Sequence, residues 1–131
     1  MIFFAAALLT ASIQAPACLH ETGTETPEQQ QRRRAAVGAA RAINTLESKY
    51  AAAHGGAYAR AEDLQAMAAA GDAGQISYSL DPQREVVPGF KLTLDAFDKG
   101  YWFEIRDTLD PCGFRIISNQ AGLIFNAHPL R

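Results

Sequence analysis

From residue 27 onward, the apolar positions recur at steps of three and four. Ala36, Ala39, Ile43, Leu46, Tyr50 and Ala53 fall on one stripe, while Arg34, Arg41, Thr45 and Ser48 fall off it. That spacing predicts one amphipathic helix of about 28 residues, roughly 42 Å long. Its start is marked by Thr26, Pro27 and Gln29, the spacing of a capping box with proline at the first helical position. Gly55-Gly56 marks its end. The first turns, residues 29–34, reach beyond what a small domain can cover, so they are expected to project into solvent or onto a partner.

A loop at residues 55–58 leads to a second, alanine-rich helix over residues 61–70, stopped by Gly71. Beyond Gly74 the step changes to two. Ile76, Tyr78 and Leu80 alternate with serines; Phe90, Leu92 and Leu94 alternate with Lys91, Thr93 and Asp95. Tyr101, Phe103 and Ile105 alternate with Trp102, Glu104 and Arg106, and Phe114 and Ile116 follow, with residues 123–125 closing the series. Asp98-Lys99-Gly100 and Asn119-Gln120-Ala121-Gly122 read as turns between them. The expected fold is α+β: a long N-terminal helix packed on an antiparallel sheet of three or four strands.

Composition places the chain among ordinary globular proteins, with 48% hydrophobic and 20% charged residues in 131. Twelve Lys+Arg against fourteen Asp+Glu give a net charge of -2, which argues against the broad basic surface that nucleic acid requires. Two cysteines are too few for a disulfide-built miniprotein or a four-cysteine zinc site.

Before the helix the chain changes character. Residues 2–13 are uncharged and apolar, about 18 Å as helix and short of a membrane span. They fit the apolar region of a secretory signal, and Ala15-Pro16-Ala17 supplies a small-x-small cleavage pattern before Cys18, although no basic residue follows Met1. The expected organisation is a signal peptide over 1–17, a polar linker over 18–26 and a folded domain over 27–131. Three fates are open for Cys18: lipid attachment at a new N-terminus, a disulfide to Cys112 in an oxidising compartment, or a free thiol.

The order of elements resembles the type IV pilin and pseudopilin family, and one stretch of sequence carries the resemblance further. Arg41-Ala42-Ile43-Asn44-Thr45-Leu46-Glu47, followed by Tyr50, Gly55-Gly56, Tyr58 and Leu64, looks like the segment where pilin-like proteins leave their helix. Gly113-Phe114-Arg115, Ser118 and Gly122-Leu123-Ile124 look like the closing hairpin of that family. Unlike pilins, the chain is polar over residues 19–34, where the apolar assembly helix is expected to continue. The resemblance therefore implies a pilin-like globular domain lacking the usual assembly helix. It implies an assembly or binding role in the bacterial envelope without catalysis, with structural weight on Asn44 and Tyr50.

The side chains are read accordingly. A nucleophilic-serine elbow, a zinc-protease histidine pair and phosphate or dinucleotide glycine loops are not found, so no catalytic, cofactor or metal residue is assigned. His54 fits the last helical turn, and His20 and His128 are expected to be solvated. The interaction candidates are the basic run Arg32, Arg33 and Arg34, with Arg41 on the same helix and Trp102 on the outer sheet face. Expected partners are envelope, secretion or pilus-assembly proteins and anionic membrane surface. The expected location is periplasmic or secreted, with or without a lipid anchor. The alternative is a small periplasmic metal- or thiol-dependent module using Cys112 and a histidine.

Overall fold

The computed structural model describes residues 17–21, 23–71 and 77–128. The apolar segment and most of the cleavage pattern lie outside the described residues, as do Gly74 and Ile76. α1 spans Pro27–Ala53, α2 spans Ala61–Ala69, and five strands follow: β1 (Glu85–Val87), β2 (Phe90–Phe97), β3 (Gly100–Asp107), β4 (Arg115–Asn119) and β5 (Ile124–Ala127). The strands form one antiparallel sheet in the order β1-β2-β3-β4-β5, with α1 laid across one face. The chain is an α+β fold with a long N-terminal helix, one strand richer than expected.

α1 starts as its sequence predicts. The Thr26 hydroxyl accepts from the Gln29 N–H at 3.2 Å, and the Gln29 side chain accepts from the Thr26 N–H at 2.7 Å, with Pro27 inside the first turn. Ala36, Ala39, Ala40, Ile43 and Leu46 are buried against Phe90, Phe103, Ile105 and Ile116 of the sheet. Gly38 sits where the Tyr78 ring meets the helix, and a Cβ there would strike its hydroxyl. Glycine weakens a helix interior by about 1 kcal/mol; here its missing side chain makes room for that ring.

One strand is misplaced in the sequence pattern. Residues 77–80, expected as the first strand, are irregular; Leu80 is buried and its N–H donates to Gln65 Oε1 at 2.7 Å. The α2 side chain thus satisfies the backbone there in place of a neighbouring strand. The sheet edge is instead β1, where Val86 and Val87 are buried and Pro88-Gly89 turns the chain into β2. Gly89 has a φ of 81°, the left-handed value that the third position of a proline-led turn requires.

Asn44 joins the helix to the sheet. Its side-chain N–H donates to Ser118 Oγ at 2.9 Å and to the Gly122 carbonyl at 3.3 Å. Its Oδ1 accepts from the Tyr101 hydroxyl at 2.8 Å. Ser118 Oγ lies 2.7 Å from the Leu123 carbonyl. One amide therefore ties α1, β3, β4 and the closing turn together.

Candidate functional site

Three places carry chemistry beyond packing: the N-terminal segment against the β3–β4 connection, the underside of α1, and the outer face of the sheet.

At the first, Cys18 and Cys112 are joined by a disulfide across 94 positions of sequence. Of the three fates open for Cys18, the structure has this one. The Leu19 N–H donates to Asp110 Oδ1 at 2.9 Å, and His20 is buried rather than solvated. Its Nε2 lies 2.7 Å from Asp107 Oδ2 and its Nδ1 2.8 Å from Glu25 Oε1. His128 is exposed and its ring lies 5.1 Å from that of Phe114.

This cluster corrects the reading of the basic run. The Arg32 guanidinium donates to both oxygens of buried Asp107 at 2.9 and 3.0 Å and lies over the Phe90 ring. Arg33 forms a forked pair with Glu25 at 2.8–3.1 Å. Residues 17–21 and 23–26 fold back along the start of α1, so these turns neither project nor offer a three-arginine surface. Arg34 and Arg41 are exposed, and neither forms an ion pair among the described residues. The neighbouring carboxylates match this picture. The Arg33 guanidinium holds Glu25 below the usual carboxylate range against the opposing effect of burial, and His20 adds to it. Burial pushes Asp110 up, but the N–H groups of Leu19, Phe114 and Cys112, with His20, outweigh it and hold the carboxyl below its usual range.

Glu47, on the buried side of α1, has the opposite environment. It is fully buried, its Oε2 accepts from the Ala59 N–H at 2.9 Å, and its Oε1 has no hydrogen-bond partner among the described residues. Burial, opposed by the Ala59 N–H and reinforced by Asp63, pushes its pKa up from 4.5 to about 7. Tyr101, whose hydroxyl donates to Asn44 Oδ1, is pushed up to about 12 by burial, Glu47 and Tyr58. The folded chain therefore holds the Glu47 proton more tightly than the unfolded chain, and stability from this group is full below pH 4.5 and lost as pH rises through about 7. Glu25 and Asp110 act in the opposite sense, weakening the fold as pH falls. Glu47→Gln is expected to remove roughly 2–3 kcal/mol of that dependence between pH 4.5 and 8. Urea midpoints of both proteins across that range read the difference; parallel curves would show that Glu47 does not titrate there.

On the outer face, Trp102 is 38% exposed, with Asp95 and Asn119 opposite it on the flanking strands. Phe97 and Phe125 are also exposed on this face, and Phe125 lies opposite Ile117. At the other end of the same face, Lys91 lies opposite Arg106, and Arg106 opposite Arg115. Sequence alternation placed Trp102 outward but missed this row, because strands distant in sequence line up only once their register is known.

Among the described residues, no cluster of His, Cys, Asp and Glu could hold a metal ion, and no helix is long and apolar enough to cross a membrane. No protein-family model, no curated protein and no solved structure matches the chain.

Proposed function

We propose that the chain is an exported, non-enzymatic structural or binding protein of the bacterial envelope, built on a pilin-like α+β domain. The Cys18–Cys112 disulfide carries this reading, because such bonds persist outside the reducing cytoplasm. The N-terminal segment is cross-linked to the β3–β4 connection and packed through His20, an arrangement suited to an oxidising compartment. The long helix and antiparallel meander agree with the pilin resemblance in architecture. Arg34 and Arg41 on the helix and Trp102 on the sheet are the proposed contacts for envelope, secretion or pilus-assembly proteins, with anionic membrane surface as a further contact for the arginines. The thiol-dependent alternative loses support, since the Cys112 sulfur is bonded to Cys18.

The test is the intact mass of the chain recovered from cytoplasmic, periplasmic and membrane fractions under non-reducing conditions. The expected result is a periplasmic chain starting at or near Cys18 and lighter by the two hydrogens lost to the disulfide. A membrane-bound chain heavier by acyl groups would make it a lipid-anchored envelope protein with Cys112 outside this bond. A cytoplasmic chain with both thiols open to alkylation would overturn the envelope reading.

A further inference from the structure

The outer sheet face is polarised in a way that packing does not require. Lys91, Arg106 and Arg115 lie directly opposite one another on β2, β3 and β4. With strands about 4.8 Å apart, the three cations form a row roughly 10 Å across. Like charges placed directly opposite weaken a sheet. Among the described residues, only Arg115 of the three has an ion-pair partner, Glu104 at 3.0 Å. Lys91 and Arg106 are exposed, and neither makes a side-chain hydrogen bond or ion pair among the described residues.

The carboxylates around this row are already engaged. Glu85 on β1 lies opposite Lys91 without forming an ion pair with it and accepts from the Gly89 N–H at 2.9 Å. Asp107 is taken by Arg32 and His20, Asp110 by three backbone N–H groups, and Glu104 by Arg115. A shallow hollow opens beside the row, bordered by Lys91, Thr93, Arg106 and Thr108 and by the engaged carboxylates Glu104, Asp107 and Asp110. Beyond Glu104 the same face becomes apolar, through Ile117 and exposed Phe125, and ends at Trp102 beside Asp95.

We infer that this face docks an acidic protein segment, whose carboxylates meet Lys91 and Arg106 and whose apolar side chains lie along Phe125 and Trp102. Charge complementarity selects the occupant: two cations with no ion-pair partner among the described residues, in a chain of net charge -2, present a local demand for anions. Asp95 and Glu104 on the same face repel a uniformly anionic surface, so a bilayer or a nucleic acid fits it less well than a segment with spaced carboxylates. The inference deepens the binding role proposed above by naming the partner's chemistry; it does not depend on the compartment in which the partner is met.

Trp102 is the only tryptophan in the chain, so its emission reports on this face alone. The experiment titrates the full chain with a short synthetic peptide alternating Glu and Phe, following Trp102 fluorescence and the amide shifts of Lys91 and Arg106. The expected result is saturable binding that weakens as salt rises. The double charge reversal Lys91→Glu with Arg106→Glu is expected to lower affinity at least about tenfold without lowering the melting temperature. If that variant fails to fold, Lys91→Gln with Arg106→Gln is used, and a several-fold loss is expected. Equal affinity in the charge variant, or no response to the peptide, overturns the inference. So does an equal response to free glutamate or inorganic phosphate, which would make the row a small-anion site. Binding only to phosphatidylglycerol vesicles would make it a membrane contact, and self-association abolished by the charge reversal would make the occupant a second copy. Either result also overturns the inference. A cytoplasmic chain that still binds the peptide would sink the envelope reading and leave this one standing.

Discussion

Replacing Cys18 and Cys112 together by serine is expected to lower the unfolding free energy by about 4–5 kcal/mol, the chain-entropy value for a loop of this length. The bond spans 94 positions, so both helices and β1 to β3 lie inside the loop it closes, with β4 and β5 beyond it. Without it, the contacts that remain between the described residues before α1 and the rest of the fold include the Leu19 N–H on Asp110 and the pairs made by His20 and Glu25. Local opening should follow the same geometry. Amide exchange is expected to rise first in residues 17–21, 23–26 and 108–114, while β2 and β3 keep their protection until global unfolding. Urea midpoints with and without reductant, followed by hydrogen exchange, measure both effects. Equal midpoints would mean that the charged cluster alone holds the segment and that the disulfide is thermodynamically idle.

Asp107→Asn is the second change expected to be severe, at about 3–5 kcal/mol, the range for breaking a buried pair on one side. Asp107 is wholly buried and serves three donors: the His20 ring, the Arg32 guanidinium and the Leu109 N–H at 2.8 Å. An asparagine amide keeps the shape but places a neutral oxygen and an N–H where two acceptor oxygens stood, leaving Arg32 uncompensated above Phe90. A Met at position 32 keeps apolar cover over that ring without the charge. The double variant Asp107→Asn with Arg32→Met should therefore lose less than the two single losses added together, which is the signature of coupling. Thermal and urea unfolding of the two single variants and the double variant decide it. A loss below about 1 kcal/mol in Asp107→Asn would show that water, rather than the carboxylate, satisfies these groups.

Much of the architecture was legible in the order of residues, because helix and strand periodicity are local properties. The three-four stripe from Ala36 to Leu46 predicted the buried face of α1, and Thr26, Pro27 and Gln29 predicted its start. The two-step alternation in β2 and β3 placed Phe103 inward and Trp102 outward. Residues 77–80 show the limit of the same rule: alternation there describes a segment whose backbone is partly satisfied by Gln65 rather than by a strand. β1 is too short for a period, and its readable signal was the Pro88-Gly89 turn after it.

What the sequence by itself determined was the α+β class, the helix boundaries and the outward placement of Trp102. The tertiary structure alone decided the partners of charged groups. Arg32 and Arg33 look like open cations because Asp107 lies 75 positions from Arg32, and Glu25 lies in a segment that reads as linker. Glu47 reads as a polar position on a helix until the chain at Ala59 returns to cover it. Lys91, Arg106 and Arg115 become neighbours only through strand register. Periodicity acts over a few residues, whereas an ion pair or a charged row depends on distances that long loops set, and those distances exist only after the chain has closed on itself.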